Sequence, residues 1–302
     1  MEGILPLWKP KGVTSHDCVF KVRKILQTKK VGHTGTLDPD VEGVLPLCIG
    51  RATKVAEYLT DAGKSYIGEV TSGFSTTTED ASGEVVDEQL VTQKIRVDEI
   101  KQTLDKLIGD ITQIPPMYSA VKVNGKKLYE YARAGMEVTR PARQVTIYRL
   151  ELIDEEIKYE HGLVSFRFKV DCSKGTYIRT LATTIGKMLG YPAHMSFLER
   201  TQSANFKKED CITIEQLAQY MEDGEVEAHL FPLEHGIAHL PTRKIDEEMA
   251  EQVKNGKVFP LPEDWKQDEK VVFMYNNCAI AIYQTHPTKQ GLIKPVKVLR
   301  NE

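Results

Sequence analysis

A chain of 302 residues, 41% apolar and 27% charged, can bury a core of usual size and still carry a smaller module, so two domains are expected. That composition excludes a disordered chain, and no run of residues is long and apolar enough to span a bilayer. A formal net charge of −3 argues against nucleic-acid binding unless positive charge is gathered locally, because phosphates are bound by the patch and not by the average.

The first 60 residues hold nine Lys or Arg against six Asp or Glu. Met1 to Pro6 lacks a basic start and a sustained hydrophobic stretch, so no secretory signal is read and a cytoplasmic location is expected. Leu7 to Gly12 carries a turn signal. Thr14 or Ser15 can then cap a helix, with Asp17 in its first turn and Val19, Val22, Ile25 and Leu26 at helical spacing. Lys9, Lys11, Lys29 and Lys30 flank the stretch that follows and are expected to meet phosphates.

That stretch, Gly32-His33-Thr34-Gly35-Thr36-Leu37-Asp38-Pro39, organises the chain. Two glycines permit a sharp, closely approachable turn, and Pro39 biases Asp38 towards an extended conformation. Within the octet Asp38 has no second acid, cysteine or metal-ligand spacing beside it, which points to a lone aspartate doing the chemistry. The five cysteines (Cys18, Cys48, Cys172, Cys211, Cys278) are odd in number and far apart. They argue against disulfides and zinc and are expected to be packed thiols.

Residues 64–71 alternate like a strand and carry Tyr66. Val97, Ile100, Leu104, Leu107 and Ile108 describe a helix stopped by Gly109. Residues 115–150 hold seven Lys or Arg against two acids. Within them, Asn124-Gly125 signals a hairpin, and the segment that follows interleaves cations with Tyr129 and Tyr131, a composition suited to phosphate contact and base stacking. Residues 163–172 alternate cleanly, with Val164, Phe166, Phe168 and Val170 on one face. A glycine turn then presents Tyr177 and Arg179, and a helix follows with Gly190 as its stop. Residues 209–242 hold eight acids and no Lys or Arg. A composition shift near 241–244 suggests a boundary, and 245–302 read as a small β-rich module with an Asn276-Asn277 turn.

The octet around Asp38 resembles the catalytic motif of the TruB family of tRNA pseudouridine synthases. So do Lys9-Pro10-Lys11-Gly12-Val13-Thr14-Ser15, Gly43 to Leu47, Gly50 to Lys54, and Gly175-Thr176-Tyr177-Ile178-Arg179-Thr180-Leu181. Asp40-Val41-Glu42 is more acidic than the family's small residues there. The resemblance covers about 240 residues. It implies an α+β fold, a mixed and largely antiparallel sheet flanked by helices, with a catalytic domain over 1–240, a basic thumb insertion at about 119–150, and a PUA-like RNA-binding domain over 245–302. It also implies roles: Asp38 as nucleophile, Arg179 as carboxylate partner, and Tyr66 stacked on the target uracil with acid/base work open to it. Tyr177 and Leu198 would line the pocket, and His33 would occupy the vacated stack.

The expected reaction is isomerisation of a uridine in the T-arm of tRNA. It exchanges an N-glycosidic for a C-glycosidic bond with no net redox change, so no cofactor or metal is expected, and a carboxylate can serve by covalent catalysis. Attack on the ribose, addition to the ring and initial elimination all remain compatible with these residues. A monomer acting without guide RNA is expected, because the stand-alone branch of the family carries the insertion. The alternatives are a guide-RNA-dependent synthase of the dyskerin type and an RNA-binding or tRNA-folding protein without turnover.

Overall fold

The computed structural model describes residues 1–153, 155–266 and 269–301. Its main element is a ten-stranded sheet whose central path runs Gly3–Lys9, Glu42–Ile49, Ala193–Ser203, Lys64–Ser72, Leu163–Cys172, Arg143–Leu152 and Gly109–Gln113. Neighbours on this path are antiparallel except at one junction, where Glu199 and Arg200 run parallel to Glu42 and Gly43. Gly43 has φ +133°, and a Cβ there would lie 2.3 Å from the carbonyl oxygen of Arg200. Only glycine lets the two backbones meet so closely.

The alternation of 163–172 buries Val164, Phe166, Phe168 and Val170. They pack with Ile100 and Leu104 of the Val97–Asp105 helix and with Leu181 and Ile185 of the Ile178–Met188 helix. Each such side chain contributes roughly 1.5–3 kcal/mol on burial. The same helix carries Arg179 in its first turn, so packing on the sheet sets where its guanidinium points.

Gly3–Lys9 and Glu42–Ile49 are apolar without alternation, and period-two reading misses both strands. The cause is burial on both faces. Leu5, Leu7, Leu45 and Leu47 pack against the Ser15–Ile25 helix and Leu217, while Ile4, Val44 and Cys48 face Val272, Ala279, Ile282 and Leu299 of the C-terminal sheet. Thr14 caps the Ser15–Ile25 helix: its hydroxyl accepts from the Asp17 amide at 3.0 Å, and Asp17 accepts from the Thr14 amide at 2.9 Å.

The C-terminal sheet orders its strands Thr242–Lys244, Val271–Tyr275, Cys278–Thr285, Leu292–Val298 and Phe259–Pro260. Its central hairpin turns on Asn276 and Asn277, both at positive φ (48° and 62°), the conformation of a two-residue turn matched to strand twist. Phe273 stacks on Tyr283 at 4.4 Å on one face. The other face belongs to the cluster shared with the larger sheet, so the two sheets do not have wholly separate cores. Polar ties reinforce that contact: Arg300 pairs with Glu234 at 2.5 Å and with Glu2 at 3.5 Å, and Lys54 donates to the carbonyls of Val298 and Leu299.

Cys18, Cys48 and Cys172 are packed as expected. Cys278 is exposed, because it opens a strand directly after the hairpin turn. No helix among the described residues is long and apolar enough to cross a membrane.

Candidate active site

Asp38 sits on a turn whose main chain is held from three sides. Ser15, the first residue of its helix, accepts from the Leu37 amide at 2.8 Å and donates to the Leu37 carbonyl at 3.2 Å. Arg200, 1% exposed, donates to the carbonyls of Val44 (2.7 Å), Gly35 (3.2 Å) and Thr36 (3.4 Å). Lys9, 0% exposed, donates to the carbonyls of Pro10 (3.0 Å), Pro39 (3.1 Å) and Val41 (2.6 Å). Buried polar groups are costly unless paired, and here the pairings to Gly35, Thr36, Leu37, Pro39 and Val41 fix points of the turn.

This arrangement corrects the expectation for Lys9. Its ammonium is wholly enclosed and satisfied by carbonyls, so it supports the turn and does not meet phosphates. Burial pushes its pKa down, an effect that nearby Cys18, Asp38 and Asp40 oppose.

Arg179 places Nη2 at 3.1 Å from Asp38 Oδ2 and Nη1 at 3.5 Å from Asp80 Oδ2. The same nitrogens donate to the carbonyls of Tyr118 at 2.8 Å and Thr78 at 3.0 Å. The guanidinium therefore bridges two carboxylates and two main-chain carbonyls, and does not close a two-bond fork on Asp38 alone. Asp80 is itself aimed: its Oδ1 accepts from the hydroxyls of Thr78 and Ser82, both at 2.6 Å. Burial pushes the Asp38 carboxyl above its ordinary value, Arg179 opposes that shift, and Asp80 adds to it.

Asp38, Tyr66, Tyr177, Arg179 and Leu198 all line one cavity of about 810 Å³. Tyr66 is 7% exposed, and burial raises its pKa, so its hydroxyl stays protonated at neutral pH. The main chain of Tyr177 is clamped by Gln113, whose Oε1 accepts from its amide at 3.0 Å and whose Nε2 donates to its carbonyl at 3.2 Å. The guanidinium of Arg143 lies 5.5 Å above the Tyr177 ring. Lys64 also lines the cavity, its pKa pushed down to about 8 by burial and by Arg200.

His33 is not among the cavity's described lining residues. It stands before the turn, its Nδ1 accepts from the Gly35 amide at 3.3 Å, and burial lowers its pKa, which favours the neutral ring.

The basic segment closes over this cavity through Tyr118, Ser119, Ala120 and Tyr129. Asn124 and Gly125 adopt φ 50° and 83°, forming the tip of the Lys122–Val123 and Lys126–Lys127 hairpin. Cations lie over its tyrosines: Lys127 and Arg133 are each 5.3 Å from the Tyr129 ring centroid.

Sequence reasoning missed Ser15, Lys64, Asp80, Gln113 and Arg200. Arg200 lies two residues beyond Leu198 on one strand, and the period of two that puts them on the same face was the available signal.

Residues 23–178 match the family model described as TruB family pseudouridylate synthase (N terminal domain), and 179–238 match tRNA pseudouridylate synthase B C-terminal domain. The chain is 55% identical over 306 residues to a Bacillus pumilus protein named tRNA pseudouridine synthase B, covering 100% of this chain and 99% of that one. A protein of the same name from Geobacillus thermodenitrificans is 56% identical over 302 residues, covering 99% of this chain and 100% of that one. Among solved structures, a chain of a Cbf5-Nop10-Gar1 complex superposes with TM-score 0.74 at 30% identity, covering 99% of this chain and 85% of that chain.

Proposed function

The chain belongs to the TruB family of pseudouridylate synthases, and from that premise we propose that it isomerises a uridine in the T-arm of tRNA to pseudouridine, with Asp38 as the nucleophile. The observation that carries this reading is the Asp38 carboxylate, set on an immobilised turn 3.1 Å from Arg179 and opening into a cavity walled by Tyr66, Tyr177 and Leu198.

The target base is shielded in folded RNA, so it must be flipped out, at a cost of a few kcal/mol. Tyr66 offsets part of that cost by stacking on the uracil, while Tyr177 and Leu198 confine the ring. His33, on the strand leading into the turn, fills the space the base leaves. Asp38 gives its electron pair to form a covalent adduct, the N-glycosidic bond breaks, the uracil turns within the cavity, its C5 bonds to the ribose, and the bond to Asp38 breaks so that the carboxylate is returned. The C5 proton is lost and the freed nitrogen gains one, so atoms balance without redox chemistry or a cofactor. Arg179 keeps the carboxylate ionised against the raising effect of burial. Residues 245–302 extend the RNA contact as a PUA-like domain.

The enzyme works as a monomer in the cytoplasm, without guide RNA. Full-length identity of 55% to proteins named tRNA pseudouridine synthase B, against 30% to the Cbf5 chain, supports the stand-alone reading. The Cbf5 superposition is the observation that favours the rival. One experiment separates them: tritium release from C5-labelled uridine in unmodified tRNA, with purified protein and no added RNA. Release at a catalytic rate is expected. Release only when a guide RNA is supplied would establish the dyskerin-type reading, and tight binding with no release under either condition would leave an RNA-binding protein.

A further inference from the structure

A second groove, of about 670 Å³, meets the catalytic cavity at Lys64, which lines both. Five of its lining residues are Lys or Arg and two are Asp or Glu, in a chain whose formal net charge is −3. Arg149 is paired with Glu151 at 2.5 Å, and Lys208 has Glu199 at 3.7 Å. Lys169 and Lys207 make no ion pair within 4.0 Å among the described residues, although Lys169 stands opposite Glu151 in the strand pairing. At the rim, Tyr148 stands 60% exposed beside a register shift between Ile147 and Arg149. It has no aromatic partner among the described residues. Thr201, Gln202 and Asn205 add hydroxyl and amide groups to the walls.

This combination has a chemical meaning next to a nucleotide pocket. Extruding one base leaves the phosphates on either side of it at the cavity mouth, and the chain must run on from there. Unpaired cations suit phosphates, an exposed ring suits an unstacked base, and hydroxyl and amide groups suit ribose hydroxyls. We propose that this groove binds the sugar-phosphate backbone of the RNA flanking the target uridine, with Lys169 and Lys207 on phosphates and Tyr148 stacked on an unpaired base. The proposal rests on the tRNA reading above. An acidic peptide would use the cations but leave the exposed ring and the border shared with the cavity at Lys64 without a role.

The test measures binding of unmodified tRNA to the full-length protein across a salt series. Lys169→Gln with Lys207→Gln is expected to weaken binding about tenfold and to make the slope of log affinity against log salt shallower by roughly 1.5 units, since each lost phosphate contact removes about 0.7–0.9. Lys169→Arg with Lys207→Arg keeps the charges and should restore both. Tyr148→Ala should weaken binding about tenfold with the slope unchanged, the signature of lost stacking. Lys106→Gln with Lys187→Gln, which removes two exposed cations outside both linings, sets the non-specific background. Wild-type affinity and slope in the first variant, or an equal loss in the background pair, overturns the proposal. Loss of polyglutamate binding with tRNA binding intact would give the groove to an acidic protein and overturn it too. Because binding is read apart from turnover, a wild-type protein that fails the tritium assay yet shows these shifts would refute the isomerase reading and leave the groove standing.

Discussion

The turn that carries Asp38 and the basic segment that closes over it are neighbours held by opposite means. Around the turn, two wholly buried cations and one buried serine are committed to main-chain carbonyls and an amide, with Lys9 alone satisfying three oxygens. Between residues 120 and 142, only Leu128 and Tyr131 are buried, and the cations lie over tyrosine rings at 5.3 to 6.0 Å. The first arrangement removes freedom from a reacting group, where small displacements are expensive. The second leaves a surface free to adjust to a ligand whose shape is not fixed until it binds. On the function proposed above, the packed turn lies where bonds would change and the open segment where RNA would be gripped.

The largest effect expected on this contrast is at the carboxylate. Asp38→Asn should lower single-turnover isomerisation by at least about a thousandfold while tRNA affinity stays within about tenfold, because one small side chain adds little to a large electrostatic interface. Appreciable turnover in that variant would remove Asp38 as nucleophile. Lys9→Met tests the support beneath it. Leaving three carbonyls without their donor should cost about 3 kcal/mol of stability in denaturant titration, and an unchanged midpoint would show that the turn holds itself.

The pH profile sharpens the comparison further. Burial raises the Asp38 pKa above its ordinary 3.8, and only the ionised form attacks, so the rate should fall as pH drops through that raised value. Arg179→Gln removes the opposing cation and should move this acid limb to higher pH. A limb that stays in place would mean that Arg179 does not tune the carboxylate. The smallest effect belongs to the compliant side: Tyr129→Ala should weaken tRNA binding about fivefold, the low end for a stacking contact. A loss in the saturated rate as great as that of Asp38→Asn would instead make Tyr129 part of the rigid machinery.

Asp38 and Arg179 stand out in the amino-acid sequence because they sit in compact glycine-punctuated motifs, whereas Tyr66 and Tyr177 are singled out only through the resemblance to the family; all four line the same cavity. Gln113 does not stand out, since a polar side chain bonded to main-chain groups leaves no pattern of partners along the chain, and Arg200 offers only its spacing of two from Leu198. Lys9 misleads for a related reason: a lysine beside a proline looks solvent-facing, and only tertiary closure reveals the three carbonyls awaiting it. Among the elements, Leu163–Cys172 announces itself by alternation because one face is buried. Gly3–Lys9 and Glu42–Ile49 hide in plain apolar runs because both faces are, with Pro6 and Pro46 set opposite each other in the pair.

Residues far apart along the chain meet at its first strand. Ile4 lies in the same apolar cluster as Leu299, and Glu2 lies beside Arg300. A polypeptide is made from its amino terminus, and domains tend to fold in that order as they emerge. Here the first strand, whose last residue is the Lys9 that anchors the Asp38 turn, completes its outer packing only once Leu299 and Arg300 have left the ribosome. The first strand therefore waits for the residues that follow the last one, and a chain halted before them lacks the contacts that would complete it.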